Sequence, residues 1–249
     1  MIQTSTMSLV ELGFRDRITP GFEPDERTLY FKQDLTNKYI HSKFLAERAV
    51  LEAVAEKGLR AKILRYGNLS ARFSDGEFQA NSNTNSAMGN LRGYAALGCA
   101  PYDRLDDTME FSPIDAVARA SVLLAETPES CRLFHVISDQ YIAMFRVFQA
   151  MNDMGLPVRF AEPSEFAAAF DAAMHDPARV GLLTSLLAYN TGAGEEERVI
   201  LKMNCEYTYQ VLFRLGFFWP TLTRDYFRRF LSALKGLGYF DISGPGAGR

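Results

Sequence analysis

The sequence predicts an α/β protein, with a small parallel sheet and one long crossing helix in its N-terminal part and a mainly helical region towards its C-terminus. Two observations carry that expectation. Asp34 to Lys57, DLTNKYIHSKFLAERAVLEAVAEK, repeats apolar residues at helical spacing and lies between two strand-like runs, Met1 to Leu9 and AKILRYGNL from Ala61. A strand, a long helix and a second strand make a βαβ unit, in which the two strands are parallel. From Pro163 onward, helical patterns follow one another with no strand between them. We therefore expect two regions, 1–150 and 151–249.

Composition narrows the function. Hydrophobic residues make up 47% and charged residues 23% of the 249, which is globular and not disordered material. No apolar run approaches the roughly 20 residues needed to span a bilayer. A net charge of −3 gives no electrostatic case for nucleic acid. Cys99, Cys131 and Cys205 are odd in number and widely spaced, fitting neither a disulfide framework nor a zinc site, and read as reduced thiols of a cytoplasmic protein. No metal is expected. The start, MIQTSTMSLVELG, lacks the basic region and small-residue cleavage site of a signal peptide.

In chain order, Met1 to Leu9 is rich in β-branched and hydroxyl residues and is expected to be a strand delivering Thr4, Ser5, Thr6 and Ser8 at its end. Gly13 to Arg27, with Pro20, Gly21 and Pro24, is a loop. The long helix follows, capped by Asp34 or Thr36 and ended by Gly58. After the second strand and its loop at Gly67 and Asn68, a helix is expected from about Asn85 to Leu97. MEFSPID reads as a short strand and a helix start, with Ser112 as N-cap and Pro113 in the first turn. RLFHVIS is a further strand and Ile142 to Met154 a further helix. Helices are then expected over 163–174, 177–189, 205–215 and 223–237. TGAGEEE and SGPGAGR are loop and tail, and the glutamates after Gly-x-Gly in the first argue against phosphate there.

Chemistry is expected on the long helix. At about 100° per residue, Tyr39, Ile40, Lys43, Phe44, Ala46, Val50, Leu51 and Val54 share an inward arc, and His41, Arg48, Glu52 and Glu56 share the opposite one. An ammonium on an apolar arc calls for a partner, and Tyr39 lies one turn earlier. A cation beside a phenol favours the phenolate. The bland alternative is a lysine that runs its stem along the core and leaves its head in water. His135, in a core strand, reads as a structural group, and Phe217, Phe218 and Trp219 read as packing between the last helices.

Thr6 at a strand end, YIHSK on the helix and LRYGNL on the next strand together resemble the catalytic half of an extended short-chain dehydrogenase/reductase, and MEFSPIDAVARA resembles a later segment of that family. DGEFQANSNTN and LGFFWPTLTRDYFRRFLSALKGLGYF resemble the terminal thioester reductase domains of nonribosomal peptide and polyketide synthetases. The resemblance implies a partial Rossmann-like sheet with a helical substrate-binding region, and NADPH as hydride donor. It implies that Tyr39 gives a proton to the substrate carbonyl oxygen, that Lys43 holds the nicotinamide ribose and favours the phenolate, and that Thr6 hydrogen-bonds the same oxygen. Asn68 falls in the loop that passes the nicotinamide. The substrate would be an acyl or peptidyl thioester on the phosphopantetheine arm of a carrier protein, released as aldehyde or alcohol.

One expected feature is missing from the sequence: the glycine-rich turn that follows the first strand of such folds and seats the pyrophosphate. The expectation is therefore a chain that carries the catalytic half, requires a nucleotide-binding half as partner, and is inactive alone. A non-catalytic remnant that binds a carrier protein or another chain is the alternative. A sugar-nucleotide epimerase or dehydratase, which shares Thr6, Tyr39 and Lys43, is a further one.

Overall fold

The computed structural model describes residues 1–11, 24–28, 35–79, 85–128, 132–186 and 203–241. The TGAGEEE and SGPGAGR stretches, Asp34 and Cys131 lie outside them. In chain order the elements are β1 (Ile2–Thr6), α1 (Ser8–Glu11), α2 (Lys38–Lys57), β2 (Lys62–Tyr66), β3 (Leu69–Ser70), α3 (Ser86–Leu97), β4 (Cys99–Pro101), β5 (Thr108–Glu110) and β6 (Ser112–Pro113). They continue with α4 (Ile114–Ala125), β7 (Leu133–Val136), β8 (Tyr141–Ala143), α5 (Met144–Asp153), β9 (Arg159–Ala161), α6 (Pro163–Met174), α7 (Glu206–Arg214) and α8 (Arg224–Gly236). The chain divides into two compact units: Met1–Leu69, Glu110–Asp139 and Glu197–Pro220 form one, and Ser70–Met109, Gln140–Glu196 and Thr221–Arg249 form the other.

The first unit is built on a parallel sheet of order β1-β2-β7. Both faces are covered, as parallel sheets require. Ile63 of β2 and Leu133 of β7 pack with Val50 of α2, while Leu64, Phe134 and Val136 pack on the other face with Val117, Ala120 and Leu124 of α4 and Leu212 of α7. The expected βαβ unit is thus present, with β1 and β2 parallel.

Local chemistry moves several expected boundaries. β1 ends at Thr6 and not at Leu9, because Thr6 Oγ1 accepts the Ser8 N–H at 3.2 Å and Val10 N–H bonds Met7 O at 2.8 Å, turning the chain into α1. Leu9 and Val10 are thereby buried with Met7, Ile137, Met203 and Cys205. The long helix begins at Lys38, and its cap is Asn37: Asn37 Oδ1 accepts from Tyr39 N–H at 3.0 Å and Ile40 N–H at 3.3 Å. Gly58 closes it in the left-handed region, φ 65°. Ser112 does not cap α4. Pro113 holds that position, and the Ser112 hydroxyl is bonded to Glu110 instead.

In the second unit, β4 and β9 pair in parallel. α8 is tied to α5 by two Arg224–Asp153 bonds of 2.7 Å, and Lys235 Nζ reaches Met154 O at 2.9 Å. Tyr226, fully buried, donates to Ala71 O at 2.9 Å and is 2.7 Å from Ser70 Oγ. α3 occupies Ser86–Leu97, within a residue of the expected bounds, with Asn85 as its N-cap and Gly98 as its C-cap. Gly89 and Gly93 lie on its face against Ser185 and Leu186; a Cβ on Gly93 would stand 2.6 Å from Leu186 Cδ1. Of the expected helix over 177–189, residues 180–182 form a 3₁₀ turn and 184–186 are helical. The expected helix at Ile142 begins only at Met144, since 141–143 form β8.

Candidate active site

The α2 cap sets the first turn of the helix, and that turn carries Tyr39. Its ring is 52% exposed, which corrects the expected inward arc for this residue: the cap places it on the first turn, beyond the packed part of the helix. Lys43 is half-buried, with Nζ 5.8 Å from the Tyr39 ring centroid. The pair is together, one turn apart, as the spacing implied. Thr6 is half-buried at the carboxyl end of β1, in register with Tyr66 of β2. Asn68 follows two residues after Tyr66, so Thr6 and Asn68 stand at the carboxyl ends of neighbouring strands, and α2 packs against β1. Ser5 is buried, with no partner for Oγ among the described residues, and Ser8 lies in α1.

What holds α2 to the sheet is a pair that the sequence reading passed over. Glu47, one turn beyond Lys43, is 3% exposed and meets Arg65 of β2, which is fully buried. Arg65 Nε donates to Glu47 Oε1 at 2.9 Å and Nη2 to Oε2 at 2.7 Å, the bidentate geometry that guanidinium and carboxylate favour. Arg65 Nη1 also donates to Thr28 O at 3.3 Å and lies 3.2 Å from His135 Nε2. His135 Nδ1 sits 3.2 Å from Asn204 O, a pure acceptor, so the proton is on Nδ1 and Nε2 accepts from Arg65. Burial, aided by the Arg65 charge, pushes the His135 imidazole down to about 3, and it is neutral. Its role is structural, as its strand position suggested.

Thr208 completes the network. Its N–H and hydroxyl donate to Glu26 Oε1 at 2.9 and 2.6 Å, and its Oγ1 accepts from His135 N–H at 3.0 Å. Burial raises Glu26 above the usual carboxylate range against the lowering effect of those bonds. The signal for the Glu47–Arg65 pair was available: Glu47 falls three residues before Val50 and seven after Ile40, on the apolar stripe, and Arg65 interrupts a buried strand. Two opposite charges at buried positions are expected to meet.

A third buried carboxylate, outside that network, lies at the carboxyl ends of β2 and β7. Glu110, 6% exposed, accepts the Asn68 N–H on Oε2 at 2.7 Å and the Ser138 N–H on Oε1 at 3.3 Å. Neither thiol described is activated: burial raises both Cys99 and Cys205. Among the described residues no cluster of His, Cys, Asp or Glu could hold a metal ion, and no described helix is long and apolar enough to cross a membrane.

The chain matches the NAD-binding family described as male sterility protein over residues 2–121. None of the curated proteins matches it. Among solved structures it is similar to a thiolation-reductase di-domain from an archaeal nonribosomal peptide synthetase, with 36% identity over 96% of this chain and 49% of that one, at a TM-score of 0.82. The terminal R domain of the myxalamid PKS-NRPS pathway matches with 21% identity, 98% and 60% coverage and a TM-score of 0.77. RMD from Pseudomonas aeruginosa, solved with NADPH, matches with 14% identity, 94% and 65% coverage and a TM-score of 0.58. The fold is therefore that of the Rossmann-like, NAD(P)-binding reductases. Within that class the chain resembles the terminal reductase domains of peptide and polyketide synthetases, and it spans 49% of the archaeal chain and 60% of the myxalamid one.

Proposed function

We propose that this chain is the catalytic part of an NADPH-dependent reductase that releases an acyl or peptidyl thioester from a carrier protein. The observation that carries the reading is the pairing of Tyr39 with Lys43 at the capped start of α2, in a chain 36% identical to a thiolation-reductase di-domain. A nicotinamide cofactor, when bound, supplies the hydride. The donors present suit its nicotinamide end: Tyr39 is an exposed residue with the Lys43 ammonium 5.8 Å from its ring centroid, and Asn68 stands at the adjacent strand end. Tyr39 donates its proton to the carbonyl oxygen. Thr6 hydrogen-bonds that oxygen as charge develops on it, and Lys43 holds the ribose hydroxyls and favours the phenolate left behind. Loss of the pantetheine thiol from the reduced carbon then gives an aldehyde, and a second reduction the alcohol.

In this reading the catalytic groups lie in 1–150, and 151–249 is a mainly helical substrate-binding region. The pyrophosphate is held by a glycine-rich turn on a further polypeptide segment, so the chain alone turns over poorly, and the assembled enzyme works in the cytoplasm. The test is Tyr39→Phe in the assembled enzyme, with thiol release and NADPH oxidation followed on an acyl-pantetheine. Turnover is expected to fall by at least about 100-fold, with cofactor affinity nearly unchanged. Turnover close to that of the parent refutes the assignment.

A further inference from the structure

We infer that Glu110 is a positioning residue that clamps the loops after β2 and β7 together and so sets the place of Asn68; the role rests on the reductase reading above. The two loops leave neighbouring parallel strands at their carboxyl ends, and the first runs directly into β3, which pairs with β6. Glu110 supplies an acceptor to an N–H of each loop. Its Oε2 takes the Asn68 N–H at 2.7 Å, and its Oε1 takes the Ser138 N–H at 3.3 Å and the Ser112 hydroxyl. Ser112 reinforces both arms: its N–H donates to Asn68 O at 2.9 Å, and its Oγ accepts the Ser138 N–H at 2.8 Å. Asn68 is thus fixed through both its N–H and its C=O, while Ser138 O receives the Tyr209 hydroxyl at 3.1 Å.

The chain also makes room for this carboxylate. A Cβ on Gly67 would run into Glu110 Oε2 and stand 2.6 Å from Ile137 Cγ2, so only glycine lets the carboxylate reach the Asn68 N–H from directly beneath. The residue type follows from the donors. A carboxylate can accept on both oxygens, whereas a primary amide accepts on one side and presents N–H on the other. Glutamine at this position would therefore face one of the two loops with a donor against a donor. A buried N–H left without an acceptor loosens its loop. None of these contacts touches Tyr39 or Lys43, so the clamp acts on the cofactor side of the site and not on the proton donor.

The experiment uses Glu110→Gln and Gly67→Ala, the second keeping the carboxylate but displacing it. Amide hydrogen exchange is read on the ligand-free protein, and cofactor KM and kcat are read on the assembled enzyme. Both variants are expected to accelerate exchange at Asn68 or Ser138 by at least tenfold while Leu64 and Phe134 in the strands keep the parent rate. Cofactor KM is expected to rise by tenfold or more with kcat within threefold of the parent. Parent-like exchange at both loop amides in both variants overturns the clamp. Freed loop amides with an unchanged KM overturn its role in cofactor placement, as does a fall in kcat at constant KM. A parent enzyme with no nicotinamide-dependent turnover refutes the reductase reading and the cofactor role with it, whereas the exchange arm still decides whether the clamp exists.

Discussion

Removing Glu47 tests what fastens the catalytic helix. In Glu47→Ala, Arg65 keeps its charge with its side chain fully buried and loses two bonds of 2.9 and 2.7 Å. Its remaining acceptors, Thr28 O at 3.3 Å and His135 Nε2 at 3.2 Å, are longer and uncharged, and cannot replace the carboxylate. Breaking a buried pair from one side costs about 3–5 kcal/mol. Against a total stability of about 5–15 kcal/mol for an ordinary domain, that is a large share. Taking both charges away in Glu47→Met with Arg65→Met leaves no buried ion and restores packing volume. What remains lost are the Arg65 donors to His135 Nε2 and Thr28 O, each worth about 1 kcal/mol, so the double variant is expected within roughly 2 kcal/mol of the parent. Urea unfolding followed by far-ultraviolet circular dichroism, on the parent, both single variants and the double, gives the coupling directly. If Glu47→Ala costs under about 1 kcal/mol, or the double costs the sum of the singles, the pair does not hold α2 as argued.

Two further outcomes follow from other parts of the structure. His135 is held at about 3 in the folded protein and titrates near 6.5 when free, so between those values the unfolded chain binds a proton that the native state refuses. Stability should then fall on acidification below pH 6.5, by up to about 1.4 kcal/mol per pH unit. Glu26, raised by burial, works in the opposite sense and loses stability as pH rises through its folded value. Urea midpoints at pH 7, 6, 5 and 4 measure the slope, and His135→Gln should flatten it; an equally steep fall in that variant would refute the assignment. Gly93→Ala should destabilise by about 1–2 kcal/mol, because overpacking against the buried Leu186 outweighs the better helix propensity of alanine. Gly236→Ala, with nothing within 4 Å of a new Cβ, should stabilise by up to about 1 kcal/mol. Urea midpoints moving in the same direction for both would count against the close approach at Gly93.

The sequence by itself determined what depends on neighbours along the chain. Periodicity marked α2, a helix was expected from about Asn85 to Leu97 where α3 lies, Gly58 marked the end of α2, and the Tyr39–Lys43 step brought those two side chains together, because a helix fixes where its own next turn lies. Only the tertiary structure decided what depends on residues far apart. The Asn37 cap and the turn of Ser112 to Glu110 are local choices among several nearby polar groups, which the pattern alone did not separate; the long-range pairs are another matter. Glu47 and Arg65 are 18 residues apart, Asn68 and Glu110 are 42 apart, and Thr208 reaches Glu26 over 182. Each of these buried polar groups is tolerable only because the folded chain delivers its partner to within hydrogen-bond distance, and no local pattern carries that distance. The division into two units, each assembled from three chain segments, has the same origin, since packing joins segments by the surfaces they bury and not by their order in sequence.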